Sequence, residues 1–251
     1  MKTLLGNKND DLSLIKVAFL VFFPTILLTG CYVLLGNAQK ALPSLLLYFV
    51  LASLTNLPIE LAVILYSSKK AFGTYSIKSA FVNQKKASWK RTLLFSVLLF
   101  GLAGILSVTV GPFENWATAP IASKLLEVMP AYFDWTNMEY LRQYPKSILL
   151  LTCIVYGLFN VLVGPVIEEL YFRGYLTSKI SRFGMLAPVI ITVLFSLYHL
   201  WLPLQNLFRI CAFLPAAYIA WKEKNIYISI LFHCLCNLVS TISFIVTLFA
   251  V

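Results

Sequence analysis

The sequence predicts an all-α membrane protein, a polytopic bundle of about seven transmembrane helices, and three observations carry that prediction. Of its 251 residues 60% are hydrophobic and only 12% are charged, against roughly 25% charged in a soluble domain. Uncharged runs at 17–39, 92–113, 147–167, 183–208 and 225–251 each reach the ~20 residues a helix needs to cross a bilayer. The five tryptophans give an independent check, since Trp favours the membrane interface. Trp89, Trp116, Trp201 and Trp221 fall near span ends, and Trp135 lies in a loop.

Taken in order, the first span is 17–39. Leu28-Thr29-Gly30-Cys31 resembles a lipoprotein cleavage box, but Tyr32 to Leu35 continue the apolar run and Asp10 and Asp11 spoil a basic leader, so an uncleaved helix is expected. The second span, 41–68, is interrupted by Glu60, a carboxylate at membrane depth that must face protein or water. The third is 92–113. After it comes an outside stretch, 111–146, in which 121–129 reads as a short amphipathic helix on the membrane surface. The fourth span, 147–167, leads into a helix kinked at Pro165 that carries Glu168 to about Ile180. The fifth, 183–208, the sixth, 204–221, and the seventh, 225–251, complete the bundle. No alternating strands of ~10 residues are present, which excludes a membrane barrel. The chain divides into N-terminal helices, 1–146, and a core that carries the polar residues, 147–251.

The formal net charge of +10 does not point to nucleic acid. Lys2, Lys8 and Lys16, the cluster Lys69, Lys70, Lys78, Lys85, Lys86, Lys90 and Arg91, and Lys179, Arg182, Lys222 and Lys224 all fall on one side of a seven-span topology. The positive-inside rule then sets the N-terminus in the cytoplasm and the C-terminus outside. The 69–91 cluster also suits anionic lipid headgroups. All five cysteines, Cys31, Cys153, Cys211, Cys234 and Cys236, lie in apolar spans, which argues against a disulfide framework.

Charge returns to the apolar background at Glu168, Glu169 and Arg173. Glu169 and Arg173 are i,i+4 neighbours and suited to pair, which leaves Glu168 as a desolvated carboxylate able to act as a general base. A buried Glu-Glu-Arg cluster that only locks two helices together fits this segment equally well. The two histidines, His199 and His233, shift the balance, since both lie in apolar spans. Counting 1.5 Å per residue from a turn near Phe183 puts Glu168 and His199 both ~22 to 24 Å deep on adjacent antiparallel helices. His233 and Asn237, on one helix face, come ~15 to 20 Å from the turn at 222–225. One polar layer is expected, open toward the inside if at all. Glu168 and His199 would activate a water, and His233 and Asn237 would donate to the oxyanion. Glu168, His199 and His233 are also a ligand set for a catalytic zinc, although the HExxH spacing is absent.

These residues resemble the CPBP family, the CAAX proteases and bacteriocin-processing enzymes also called Abi proteins. The resemblance rests on three blocks: E-E-x-x-x-R at Glu168, Glu169 and Arg173, followed by Gly174; F-x-x-x-H at Phe195 and His199; and H-x-x-x-N at His233 and Asn237. It implies an all-helical intramembrane endopeptidase of a membrane-associated peptide or protein. Glu168 and His199 would then be water-activating, His233 and Asn237 oxyanion-stabilising, and Glu169 and Arg173 supporting. Eight spans are common in that family, one more than expected here. A non-enzymatic scaffold, a bacteriocin-immunity protein and a proton-coupled transporter are the alternatives; no inverted repeat supports the transporter.

Overall fold

The computed structural model describes residues 11–250; Lys2, Lys8 and Asp10 lie outside that range. The described residues form an all-helical bundle. Its helices are α1 (Leu14–Ala38), α2 (Ser44–Leu54), α3 (Asn56–Phe72), α4 (Trp89–Val128), α5 (Lys146–Lys179), α6 (Leu186–Tyr198), α7 (Asn206–Glu223) and α8 (Tyr227–Phe249). Five stretches are long and apolar enough to cross a membrane: α1, α2 with α3, α4, α5 and α8. The connections 73–88, 180–185 and 224–226 mark the basic end of the bundle.

Local chemistry explains where these helices begin and break. Ser13 caps α1 by accepting from the Lys16 amide at 3.3 Å, supplying one of the partners that a helix start lacks. The 41–68 run is split at Thr55, whose φ and ψ of −120° and −80° leave the helical region, and Pro58 is tolerated because it falls in the first turn of α3. This break turns Asn56 and Glu60 inward, where they are 2% and 0% exposed. Gly73, with φ +77°, ends α3 in the left-handed conformation that glycine adopts without penalty.

Two expectations need correction. No separate surface helix forms at 121–129, because α4 continues through Pro112 and Pro120 to Val128, 40 residues in all and ~60 Å long. Its middle is anchored by Glu114, which is only 6% exposed. Glu114 is therefore a packing group rather than a charge of the outer surface. The fifth run is also shorter than expected. Helix α6 has 13 residues, ~20 Å of rise against a hydrocarbon core of ~30 Å. The chain leaves it at His199 and re-enters helix at Asn206, so 199–205 is non-helical backbone at depth. Such backbone is tolerated where it lines a cavity.

The apolar residues face outward in numbers that a water-soluble bundle does not show. Phe19, Ile105, Val108 and Ile154 are each more than 60% exposed, as expected of side chains that meet lipid. The packed centre surrounds α5: Tyr171, Phe172, Phe195 and Tyr198 are fully buried there. Gly174 sits where the 78–81 turn crosses α5, and a Cβ at Gly174 would lie 2.6 Å from the Ala80 carbonyl oxygen and 2.9 Å from the Ala80 Cβ. Gly174→Ala is expected to destabilise the fold by about 1–3 kcal/mol through overpacking, read as a lower thermal midpoint in detergent. An unchanged midpoint would show that the turn can move aside.

Candidate active site

Helix α5 is not uniform. It is π-helical at Phe159–Val163 and Leu170–Leu176, with a short α-helical stretch, Gly164–Glu169, between them. Pro165 has no N–H to give, and the Gly164 amide bonds back to the Phe159 carbonyl, five residues away. A Cβ on Gly164 would come within 2.8 Å of that oxygen, so the bulge needs glycine. Bulges of this kind re-aim side chains and recur at functional sites. Here they bracket Glu168 and Glu169.

Glu169 is fully buried, with a hydrogen bond at one oxygen and an ion-pair contact at the other. Its Oε2 lies 3.3 Å from Arg173 Nε, and its Oε1 accepts from His233 Nδ1 at 3.0 Å. The Arg173 guanidinium also stacks 4.0 Å over the Phe195 ring, a cation–π contact in a desolvated setting. Phe195 therefore has a definable role. Its ring meets Arg173, His199 edge-on at 4.7 Å and His233 edge-on at 5.9 Å, and its carbonyl oxygen accepts from His199 Nδ1 at 2.8 Å. A carbonyl can only accept, so Nδ1 of His199 carries the proton and Nε2 is left as an acceptor.

Glu168 is separated from that pair, as the i,i+4 geometry requires. Its Oε2 is 3.9 Å from His233 Nε2. It makes no direct hydrogen bond or ion pair with His199, although both line the same cavity. Asn237, one turn beyond His233, donates one Nδ2–H to the Asn160 carbonyl at 2.8 Å and has a second N–H to give. The Asn160 amide in turn donates to Thr241 Oγ1 at 2.9 Å. The structure thus gathers Glu168, Glu169, Arg173, His199, His233 and Asn237 in one layer. Among the described residues no three His, Cys, Asp or Glu side chains form a group suited to hold a metal ion. Glu168, His199 and His233 form no such group, although the Nδ1 contacts to Phe195 and Glu169 engage neither histidine's Nε2.

The cavity has a volume of about 630 Å³, within the range of ligand pockets. It is lined by Glu168, His199, His233 and Phe213, and also by Asn160, Tyr156, Ser240, Ser243 and Trp135 on its walls. These wall residues lie farther from the basic end than Glu168 and His233 do. The larger cavity thus extends away from the basic end, toward which the layer was expected to open. The cavity rises toward the end that carries the 39–43 and 129–145 connections. The early end of α6 leaves space above the layer, with Trp201, Leu202 and Gln205 of its exit loop on the wall, and a separate cavity of about 370 Å³ lies on the basic side, lined by Arg173, Gly174, Thr177, Lys222 and Lys224 among others.

Sequence reasoning missed several polar residues of this region. Tyr198 donates to Glu60 Oε1 at 2.7 Å, accepts from Asn56 Nδ2, and takes Thr25 Oγ1 on its carbonyl at 2.7 Å. This ties α1 and α3 to the helix end at His199. Glu60 was recognisable as a buried carboxylate, but nothing in the sequence paired it with Tyr198. Tyr198→Phe removes the donor to a fully buried carboxyl and is expected to cost about 1–3 kcal/mol. Thermal unfolding of the purified variant measures this, and a loss under about 0.5 kcal/mol would show that the carboxyl finds another partner.

Residues 147–239 match the family model described as Type II CAAX prenyl endopeptidase Rce1-like. No curated protein and no solved structure matches the chain. The matched stretch contains the whole polar layer, Glu168 through Asn237, and most of the cavity lining. Over residues 147–239 this multi-helix membrane protein therefore carries a domain of the Rce1-like type II CAAX prenyl endopeptidase family, consistent with the CPBP proteases that its three blocks resemble.

Proposed function

We propose that the chain is an intramembrane endopeptidase that hydrolyses a peptide bond in a membrane-associated peptide or protein, with 147–251 as its catalytic core and 1–146 as supporting helices. The observation that carries this reading is the pairing of roles around the cavity. Glu168 is a carboxylate whose nearest basic group is His233 Nε2, at 3.9 Å, and no lysine or arginine of the described residues is in ion-pair contact with it. His199 presents Nε2 as an acceptor, because Nδ1–H is held by Phe195. The two line one cavity without touching. Both groups accept, so together they suit the two hydrogens of one water, whose oxygen then faces the substrate carbonyl.

In the proposed reaction Glu168 takes a proton from that water as its oxygen bonds to the carbonyl carbon. The oxyanion receives hydrogen bonds from the second N–H of Asn237 and from His233, which donates through Nε2 when both ring nitrogens carry protons. The C–N bond then breaks as the leaving nitrogen takes the proton from Glu168, which restores the carboxylate. Glu169 and Arg173 hold His233 in place. No step uses a metal. The basic end is assigned to the cytoplasm by the positive-inside rule, so the cavity faces the opposite leaflet.

The test is cleavage of a membrane-tethered peptide library by purified wild type and by Glu168→Ala, with and without a strong chelator. Cleavage by wild type alone, unaffected by chelation, is the expected result. Equal cleavage by both proteins would remove Glu168 from the reaction. Wild-type activity that is lost on chelation and restored by zinc would overturn the metal-free scheme.

A further inference from the structure

Arg209, in the first turn of α7, is the one Lys or Arg on the cavity wall. It is 7% exposed, and its hydrogen bonds go to neutral oxygens. Nη1 donates to the Ser196 carbonyl at 3.1 Å and Nη2 to the Leu202 carbonyl at 3.4 Å. Among the described residues no carboxylate forms an ion pair with it. Glu114 approaches the same helix start but commits both oxygens to backbone, accepting from the amides of Leu207 at 2.6 Å and Phe208 at 2.8 Å. The contrast is Arg173, the buried arginine of the polar layer, which has Glu169 beside it. A buried cation without a counter-ion is costly and is normally paired or functional.

The surroundings narrow what would pair with it. A single guanidinium matches the single charge and planar fork of a carboxylate, and its unused N–H groups suit bidentate contact. A phosphate dianion would leave excess negative charge in a cavity whose other lining charge is the acidic Glu168. Arg209, Glu168 and His199 line the same cavity. A ligand held at Arg209 is thus held beside the proposed reaction centre.

We propose that Arg209 is a specificity residue that binds a carboxylate of the peptide in the cavity, and so sets the distance between that carboxylate and the bond that is cut. This rests on the endopeptidase reading for its consequence but not for its test. The carboxylate is either the α-carboxylate of a free C-terminus or an Asp or Glu side chain near the cut. Arg209 also braces the 199–205 loop through its two carbonyl contacts, so the test separates recognition from bracing.

Three peptides differing in one group decide the matter: one with a free C-terminal carboxylate, its C-terminal carboxamide, and a carboxamide with a Glu side chain near the C-terminus. Binding to Glu168→Gln in detergent, followed by fluorescence anisotropy, needs no turnover. A carboxylate-bearing peptide is expected to bind about tenfold or more tightly than the plain carboxamide, as one charged hydrogen-bonded contact allows. Adding Arg209→Gln is expected to abolish that preference while leaving carboxamide binding within about twofold, and Arg209→Lys to keep part of it. Which carboxylate peptide gains identifies the source. Equal binding of all three, or a proportional loss across all three in Arg209→Gln, overturns the proposal. Failure of wild type to cleave a peptide that Glu168→Gln binds counts against the endopeptidase reading alone.

Discussion

Glu168→Gln is expected to lower kcat for peptide cleavage by about 10²–10⁴-fold while changing KM little, the range spanned by removal of a positioned general base. The glutamine side chain keeps the size and one acceptor oxygen of the carboxylate but cannot take the proton from water. The fold should survive, since Glu168 is only a peripheral partner of His233, at 3.9 Å, while Glu169 makes the close contact at 3.0 Å. Steady-state kinetics together with a thermal midpoint separate the two effects. A variant that retained wild-type kcat would show that another group is the base. A variant that lost activity only in step with its midpoint would make Glu168 structural.

Arg173→Met is expected to have the largest effect on stability. It leaves Glu169, which is fully buried, with His233 Nδ1 as its remaining close partner. Breaking a buried pair from one side costs about 3–5 kcal/mol, which for a chain of this size lowers the thermal midpoint by about 10 °C. Removing both charges in the double variant Arg173→Met, Glu169→Gln should recover much of that loss, because no lone charge then stays buried. Activity should not recover in parallel, since His233 would lose the carboxylate that orients its ring. A single variant with a wild-type midpoint, or a double variant less stable than the single, would contradict this account.

The two variants probe different layers of what was legible beforehand. The separation of Glu168 from Glu169 followed from helix geometry alone, since a rotation of ~100° between neighbours cannot aim both carboxylates at Arg173. The structure has that pair at 3.3 Å. His233 is a different matter. Its placement near the layer came from a depth count, but its bond to Glu169 depends on how α8 is rotated against α5. No stretch of either helix specifies that rotation. The same holds for Tyr198 with Glu60 and for Glu114 with the start of α7, whose partners are 138 and 93 residues apart in the chain.

The errors have physical causes of the same kind. The 111–146 stretch was read as a loop with a surface helix because Gly111, Pro112 and the charged residues after them usually end a span. Helix α4 runs on because Glu114 is drawn into the bundle by two amides of α7. The extent of the larger cavity away from the basic end was not foreseen, because a depth count from the turns does not show where a helix stops, and α6 stops after 13 residues.

The sequence by itself determined the helical membrane class, the order of the spans and the shared depth of Glu168, His199, His233 and Asn237. These quantities run along the chain, where apolar length and a rise of ~1.5 Å per residue are additive. Only the tertiary structure decided which polar groups touch, where the cavity rises, and that Arg209 stands on its wall with no carboxylate of the described residues in ion-pair contact. In lipid a helix can be apolar all round, so the usual contrast between a wet face and a buried face is weak. Lateral position and rotation are then settled by contacts between helices, made by residues far apart in the sequence.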